Sequence, residues 1–344
     1  MSASKRFLLL IMAALLALGA CSAPRARYRT GEVSVNDKTR VVVDQAGRTV
    51  EISGRVERIV SCYYISTSAC IALGLAGKMV GIEAKAESRS IYALVAPGLL
   101  QLPNVGTAKD FNLEACIALA PDLVVAPLVL RDKAEIMADM GVPVILVDPE
   151  GYDEMLEMIA LVGKAAGVPD SAERLIAYYG EKRASICAIT EGFAEKPVVY
   201  MCGVGSYLTT APLGMYQSEL IEFAGGQNAA QKIDGRGWTQ VSYEQLLAMD
   251  PEFIIIPSEA SYDKEDILDD EQLAALSAVK NGKIYSMPKG FEAWDSPVAS
   301  SILGILWLLC VLHGDAYPQK AFTDDIEVFF REFYGVSVEL GAAQ

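Results

Sequence analysis

Apolar residues along this chain fall either in short unbroken runs, such as Leu123-Val124-Val125, or in stretches where they recur every three or four positions. The first pattern predicts buried strands and the second predicts helices with one apolar face. Arg58-Ile59-Val60-Ser61 begins a strand that leads into the helix-like Ser68 to Leu75. Lys133 to Met140 is helical and Val142 to Val147 is a strand. The alternation is organised by a repeat: Asn112 to Val125 and Ser242 to Ile255 resemble each other position by position. Each copy has a helix N-cap residue, a Glu two places on, apolar residues at helical spacing, a Pro-acid turn and an apolar β run. The flanks repeat too. Pro197 to Met201 predicts a strand leading to a helix over Ser218 to Ala224, and Gln272 to Val279 predicts a helix before the strand Lys283 to Met287. Strands and helices alternating at this pitch predict an α/β fold of two Rossmann-like lobes, one parallel sheet in each, with a site between them. Asp153 to Ala166 predicts an amphipathic helix. Pro169 opens a second, running to about Thr190, with Leu175, Ile176, Tyr179, Ile186 and Ile189 as its apolar positions. A helix of about 20 residues is about 30 Å long, enough to cross between lobes as a single stiff link, which predicts rocking through small angles.

The first residues depart from this pattern. Lys5-Arg6 precedes an unbroken apolar run from Phe7 to Leu18, which closes on Leu18-Gly19-Ala20-Cys21. The run is shorter than the roughly 20 residues a spanning helix needs, so it predicts a secretory signal. A cysteine directly after the small residues resembles the lipobox of bacterial lipoproteins, which implies that Cys21 becomes a lipidated N-terminus anchoring the chain to a membrane outside the cytoplasm. Residues 1–21 then form the signal and 22–40, rich in Ser, Pro, Arg and Thr, a tether. The expected body comprises an N-terminal lobe over 41–168, a linking helix over 169–191 and a C-terminal lobe over 192–344. A formal charge of -15 with a single His argues against nucleic-acid or anionic-membrane binding by the folded part. Cys62, Cys70, Cys116, Cys187, Cys202 and Cys310 have no metal-ligand spacing and sit mostly in apolar runs, so mostly free, buried thiols are expected.

Further pieces accompany the repeat: Val105-Gly106-Thr107, Glu222-Phe223-Ala224-Gly225-Gly226-Gln227-Asn228, Trp238-Thr239-Gln240-Val241-Ser242 and Trp294-Asp295-Ser296-Pro297. In their order and spacing, over about residues 41 to 335, they resemble the substrate-binding proteins of ATP-driven importers for ferric siderophores, haem and vitamin B12. The resemblance implies that Glu114 and Glu244, one on each lobe, pair with Arg residues of a dimeric permease whose ATPases drive uptake. It also implies a chelated-metal solute, with ferric siderophore placed first and cobalamin or haem after it.

In an α/β lobe, ligands lie beyond the carboxyl ends of the strands. That rule selects Tyr63 and Tyr64, Lys109 and Arg131 in the first half. In the second it selects Tyr207, Tyr216, Arg236, Trp238, Phe291 and Trp294. Aromatic faces offer contact area at little entropic cost, and Arg or Lys neutralises carboxylates, catecholates or phosphates. No bare-metal site or resident cofactor is expected, because clustered His and carboxylates are missing. His313 ends an apolar helix before Gly314 and is expected at its C-cap. Without a His in a candidate loop, a Gly-x-Ser-x-Gly elbow or a Walker loop, neither hydrolysis of a substrate nor of ATP by this chain is expected. The rival reading is a surface sensor or adhesion lipoprotein that binds solute without transport.

Overall fold

The computed structural model describes residues 39–338. The chain enters through a hairpin, β1 (Thr39–Val43) and β2 (Thr49–Ser53), antiparallel from Thr39↔Ser53 to Val43↔Thr49. The first strand therefore begins inside the stretch expected as a tether. Tertiary bonds hold it: Arg40 Nε donates to the Ala165 carbonyl at 3.1 Å, and the buried Asp44 carboxylate accepts from Arg48 and from the Leu146 N–H.

The first lobe runs β3 (Ile59–Ser61), α1 (Tyr64–Ala72), β4 (Met79–Gly81), α2 (Ser90–Val95), α3 (Leu113–Ala118), β5 (Leu123–Pro127), α4 (Arg131–Asp139) and β6 (Val144–Val147). Its four strands are all parallel, in the order β4-β3-β5-β6. Two helices follow, α5 (Tyr152–Ala166) and α6 (Pro169–Thr190). The second lobe comprises β7 (Val198–Gly203), β8 (Ser206–Thr210), α7 (Tyr216–Phe223), β9 (Gln227–Asn228), β10 (Thr239–Gln240), α8 (Tyr243–Met249), β11 (Phe253–Ile256), α9 (Lys264–Leu268), α10 (Ser277–Lys280) and β12 (Ile284–Ser286). Helices α11 (Ile302–Leu312) and α12 (Gln319–Phe329) close the fold.

The second sheet contains the first sheet's pattern, with β9, β7, β11 and β12 parallel in that order. It departs from an all-parallel sheet because Val204 and Gly205 alone join β7 to β8. A two-residue connection can only turn the chain back, so β8 pairs antiparallel, and β10 pairs antiparallel with it. The helix expected over Gln272 to Val279 is also broken, into a 3₁₀ turn at Glu271–Leu273 and the single turn of α10.

The repeated segment repeats its bonds as well. Asn112 caps α3 by accepting from the Ala115 N–H at 2.9 Å. Ser242 caps α8 through a reciprocal pair with Gln245. Each helix ends on a left-handed residue ahead of the proline, Ala120 (φ 44°) and Asp250 (φ 38°). The acid of each Pro-acid turn then fixes the start of a neighbouring strand. Asp122 accepts from the Glu57 and Arg58 N–H groups, both at 2.9 Å, and Glu252 accepts from the Val198 N–H at 3.2 Å.

Each sheet has one face in a private apolar core and one in a core shared by the lobes. Val60, Cys116, Val124 and Leu146 belong to the first private core, and Tyr200, Leu246, Ile254 and Ile284 to the second. The shared core gathers Ile59, Val125, Val199 and Ile255 with α5, α6 and α11. Burial on both faces explains the unbroken apolar runs of β3, β5, β6 and β11. The linking helix is riveted into this core: the buried Tyr179 hydroxyl donates to the Ala299 carbonyl at 3.0 Å and accepts from the Ile302 N–H at 3.2 Å. His313 is the C-cap residue of α11, its ring stacked on Phe193 at 4.0 Å.

Candidate functional site

Loops that leave the carboxyl ends of four parallel strands, β3 and β4 in one lobe and β11 and β12 in the other, meet at one recess, with the loop after β6 near Tyr63. Tyr63 and Tyr64 follow β3, Glu83 and Arg89 follow β4, and Asp148 and Glu150 follow β6. From the second lobe, Glu259 follows β11, and the segment from Phe291 to Ser296 follows β12. Tyr64, Arg89, Tyr92, Glu259, Phe291 and Glu292 line the recess between the lobes. Two polar contacts cross it. Arg89 Nη1 lies 2.6 Å from Glu259 Oε1, and the Tyr64 hydroxyl donates to Ser296 Oγ at 3.1 Å. Arg89 also lies over the Tyr64 ring, 4.1 Å from its centroid, while Tyr63 meets Tyr64 edge-on at 5.2 Å.

Two buried acids accompany the recess, Glu292 in its lining and Glu83 behind Tyr92. Glu83 accepts from Thr67 Oγ1 at 2.6 Å and from the Tyr92 hydroxyl at 2.7 Å. Glu292 accepts from the Ser300 and Tyr334 hydroxyls. Burial raises both carboxyls, and the hydroxyl bonds oppose it. Burial likewise pushes the Tyr64 phenol up to about 12 and raises Tyr63 further, so both tyrosines stay neutral at physiological pH. Near Tyr63, burial and Asp148 raise the Glu150 carboxyl while the Arg236 charge from the opposite lobe lowers it. Among the described residues, no group of three or more His, Cys, Asp or Glu is placed to hold a metal ion.

The structure brings some of the sequence-selected residues together and disperses others. Tyr64 and Phe291 line the recess, Tyr63 packs edge-on against Tyr64, and the exposed Arg236 stands near enough to bias Glu150. Trp238 is part-exposed and packs beside the β7–β8 turn: a methyl placed on Gly203 would come 3.4 Å from its ring. Trp294 and Tyr216 are interior, which corrects their expected place on the cleft surface. The Trp294 ring stacks on Phe291 at 5.1 Å with its Nε1 on Ser300, and Tyr216 is buried at the first turn of α7. Tyr207 is not among the residues that line the recess, and its hydroxyl shares Asp270 with Tyr243 on α8. Arg131 ties α4 to the entry hairpin through the Ala46 carbonyl at 3.0 Å, and Lys109 is exposed on the turn before α3. Arg89, Glu259 and Glu83 carried no sequence signal, whereas Glu292 lies between the selected Phe291 and Trp294. Arg89 lies in a polar stretch without motif or periodicity, and only the fold brings it opposite Glu259.

Glu114 and Glu244 occupy equivalent positions, each the second residue of its helix, and both are exposed. A hydrogen bond from Ser242 lowers the Glu244 carboxyl below the ordinary range.

The model of the periplasmic binding protein family matches residues 59–290, a span that holds the parallel strands of both lobes. The chain belongs to this family. As a periplasmic binding protein it works outside the cytoplasm and binds a solute rather than transforming one. It is similar to the molybdate-binding protein MolA of Haemophilus influenzae, 24% identical over 86% of this chain and 90% of that protein. It is also similar to the vitamin B12-binding protein of Salmonella choleraesuis, 28% identical over 50% of this chain and 64% of that one. Among solved structures, a periplasmic solute-binding protein from Veillonella parvula superposes with a TM-score of 0.78 at 26% identity, covering 88% of this chain and 94% of the other. The two-lobed fold and the binding role expected from the sequence are thereby established. Cys21 and the signal lie outside the described residues.

Proposed function

We propose that this periplasmic binding protein captures a chelated metal between its lobes and delivers it to the permease of an ABC importer, with a ferric siderophore as the first candidate solute and cobalamin or haem after it. The observation that carries the reading is the recess itself: aromatic rings from both lobes and a guanidinium meet beyond the strand ends, where α/β lobes hold ligands. Tyr63, Tyr64 and Phe291 offer apolar area to a bulky chelate, and Arg89 and Arg236 offer charge to its oxygens. In this reading Glu114 and Glu244 are the docking points for permease arginines, and lipid on Cys21 holds the protein at the membrane. A second reading, direct capture of an oxyanion, is favoured by the likeness to MolA over most of both chains.

Calorimetric titration of the purified protein with a ferric tris-catecholate, a ferric hydroxamate, cobalamin, haem and molybdate tests the proposal. Saturable binding of one chelate, abolished by Tyr64→Ala with Phe291→Ala, supports it. Binding of molybdate alone moves the assignment to the oxyanion, and failure of every probe with a folded protein overturns solute capture at this recess.

A further inference from the structure

Arg89 and Glu259 belong to different lobes and to loops that are independently braced. The Arg89 loop is held by a turn in which Ser88 and Arg89 both donate backward, to Lys85 and Ala86. The Glu259 loop is stapled to the β7–β8 turn by the Ser261 N–H on the Val204 carbonyl at 3.0 Å and by the Tyr262 hydroxyl on the Gly203 carbonyl at 2.7 Å. The ion pair is therefore a contact between two prepared surfaces. On the Arg89 side the guanidinium lies against the Tyr64 ring, a geometry that orients the planar fork before any partner arrives. Arg89 keeps 23% of its side-chain surface exposed and Glu259 keeps 44%, so solvent and small ions reach both. Among the described residues, Glu259 supplies the one side-chain hydrogen-bond acceptor on the Arg89 fork, which leaves most of its five donors available.

We infer that Arg89 is the anion-recognising group of this cleft and that Glu259 is its internal counter-anion, displaced when an anionic solute enters. The inference rests on the proposed capture of a solute between the lobes and adds to it the charge class of that solute. Glutamate offers the same oxygens as a carboxylate or catecholate ligand would, at the distance a charge-assisted hydrogen bond adopts. In the empty protein it neutralises the guanidinium and joins the lobes. A solute anion of higher charge or better bidentate geometry replaces it, and the cross-lobe link is exchanged for a link through the solute. Uncharged solutes gain nothing from this exchange and still have to part the pair.

The exchange makes an unusual demand: removing a cleft carboxylate strengthens binding. Calorimetric titration of the full chain in detergent compares wild type, Glu259→Gln and Arg89→Gln, with a ferric tris-catecholate, molybdate and cyanocobalamin as probes. For an anionic probe, Glu259→Gln is expected to bind about two- to fivefold more tightly, the value of a partly exposed ion pair no longer in competition. Arg89→Gln is expected to bind at least about tenfold more weakly, the value of a charge-assisted contact. If an anion binds all three proteins equally, the exchange is overturned while capture between the lobes stands. It is overturned in the same way if cyanocobalamin binds wild type and neither anion binds Glu259→Gln. If none of these three probes binds wild type, anion binding that emerges in Glu259→Gln supports the exchange, and silence of both proteins overturns the exchange, while the proposed function stands or falls on the wider panel that includes haem and a ferric hydroxamate.

Discussion

At the scale of single residues, the acids of the two Pro-acid turns show how a surface side chain is set by the backbone it serves. Asp122 accepts from two N–H groups at the entry to β3, donors that the sheet ladder does not use. Asp122→Ala is expected to lower stability by ~1–2 kcal/mol, the lower part of the range for hydrogen bonds to a charged group because the site is half-exposed. Asp122→Asn, which keeps one acceptor, is expected to lose less, and urea unfolding at neutral pH measures both. Asp295 behaves oppositely. Burial pushes its carboxyl up to about 6, with Glu259 adding to the rise and Arg89 opposing it, and its Oδ1 has no partner. The folded state thus holds this proton more tightly than the unfolded chain does. Its contribution favours folding below the ordinary value near 4 and is lost as pH rises to about 6. Asp295→Asn removes that dependence, so the variant is expected to gain on wild type by ~1–3 kcal/mol between pH 4 and pH 6 and to hold the gain above it. Unfolding curves at pH 4, 5, 6 and 7 check the sign, and a gap that shrinks with rising pH contradicts it.

At the scale of elements, close approach decides what the helices tolerate. A methyl on Gly304 would stand 2.6 Å from the Trp294 carbonyl oxygen, so α11 packs against that loop with no room for a side chain. Gly304→Ala gains up to ~1 kcal/mol of helix propensity but overpacks backbone, a defect of ~1–3 kcal/mol, and a net loss in thermal unfolding is expected. The same scale explains how much was legible beforehand. Strands buried on both faces are continuous apolar runs, and α5 and α6 carry a clean helical period, so β3, β6, β7, α5 and α6 lie where the pattern predicted them. The repeat could be read because each of its residues has a local job, from cap to turn acid. The hairpin β1–β2 was not legible as structure: its residues alternate weakly, and its stability comes from Asp44 and Arg40 bonding to segments more than a hundred residues away. The cleft was half legible for the same reason. Tyr63, Tyr64 and Phe291 follow strand ends and were selected by topology. Trp294 and Tyr216 satisfy the same rule, yet their rings turn inward, where the shared core buries them. Arg89 and Glu259 acquire meaning only through each other, across the gap between lobes.

At the scale of the molecule, the duplication places two equivalent carboxylates on two lobes that share one core. Glu114 and Glu244 sit on the first turns of α3 and α8, helices that in each lobe precede a central strand, β5 or β11, and their N-termini lie toward the strand ends that line the recess. Both are exposed, and neither takes part in the contacts that close the cleft. If these carboxylates served only their own helices, their loss would cost each helix a few tenths to about 1 kcal/mol and nothing more. If they meet permease arginines, reversing both charges sets like against like across a docking face, a penalty of several kcal/mol that no helix accounts for. The double variant Glu114→Lys with Glu244→Lys is therefore expected to keep solute affinity within about twofold while uptake into vesicles bearing the cognate permease falls at least about tenfold. Single reversals should fall between, and raised salt should weaken wild-type docking more than solute binding, since exposed pairs are screened over about 10 Å at 0.1 M. Uptake that survives the double reversal, with affinity and unfolding unchanged, would remove the docking role and favour a sensor that binds without transport.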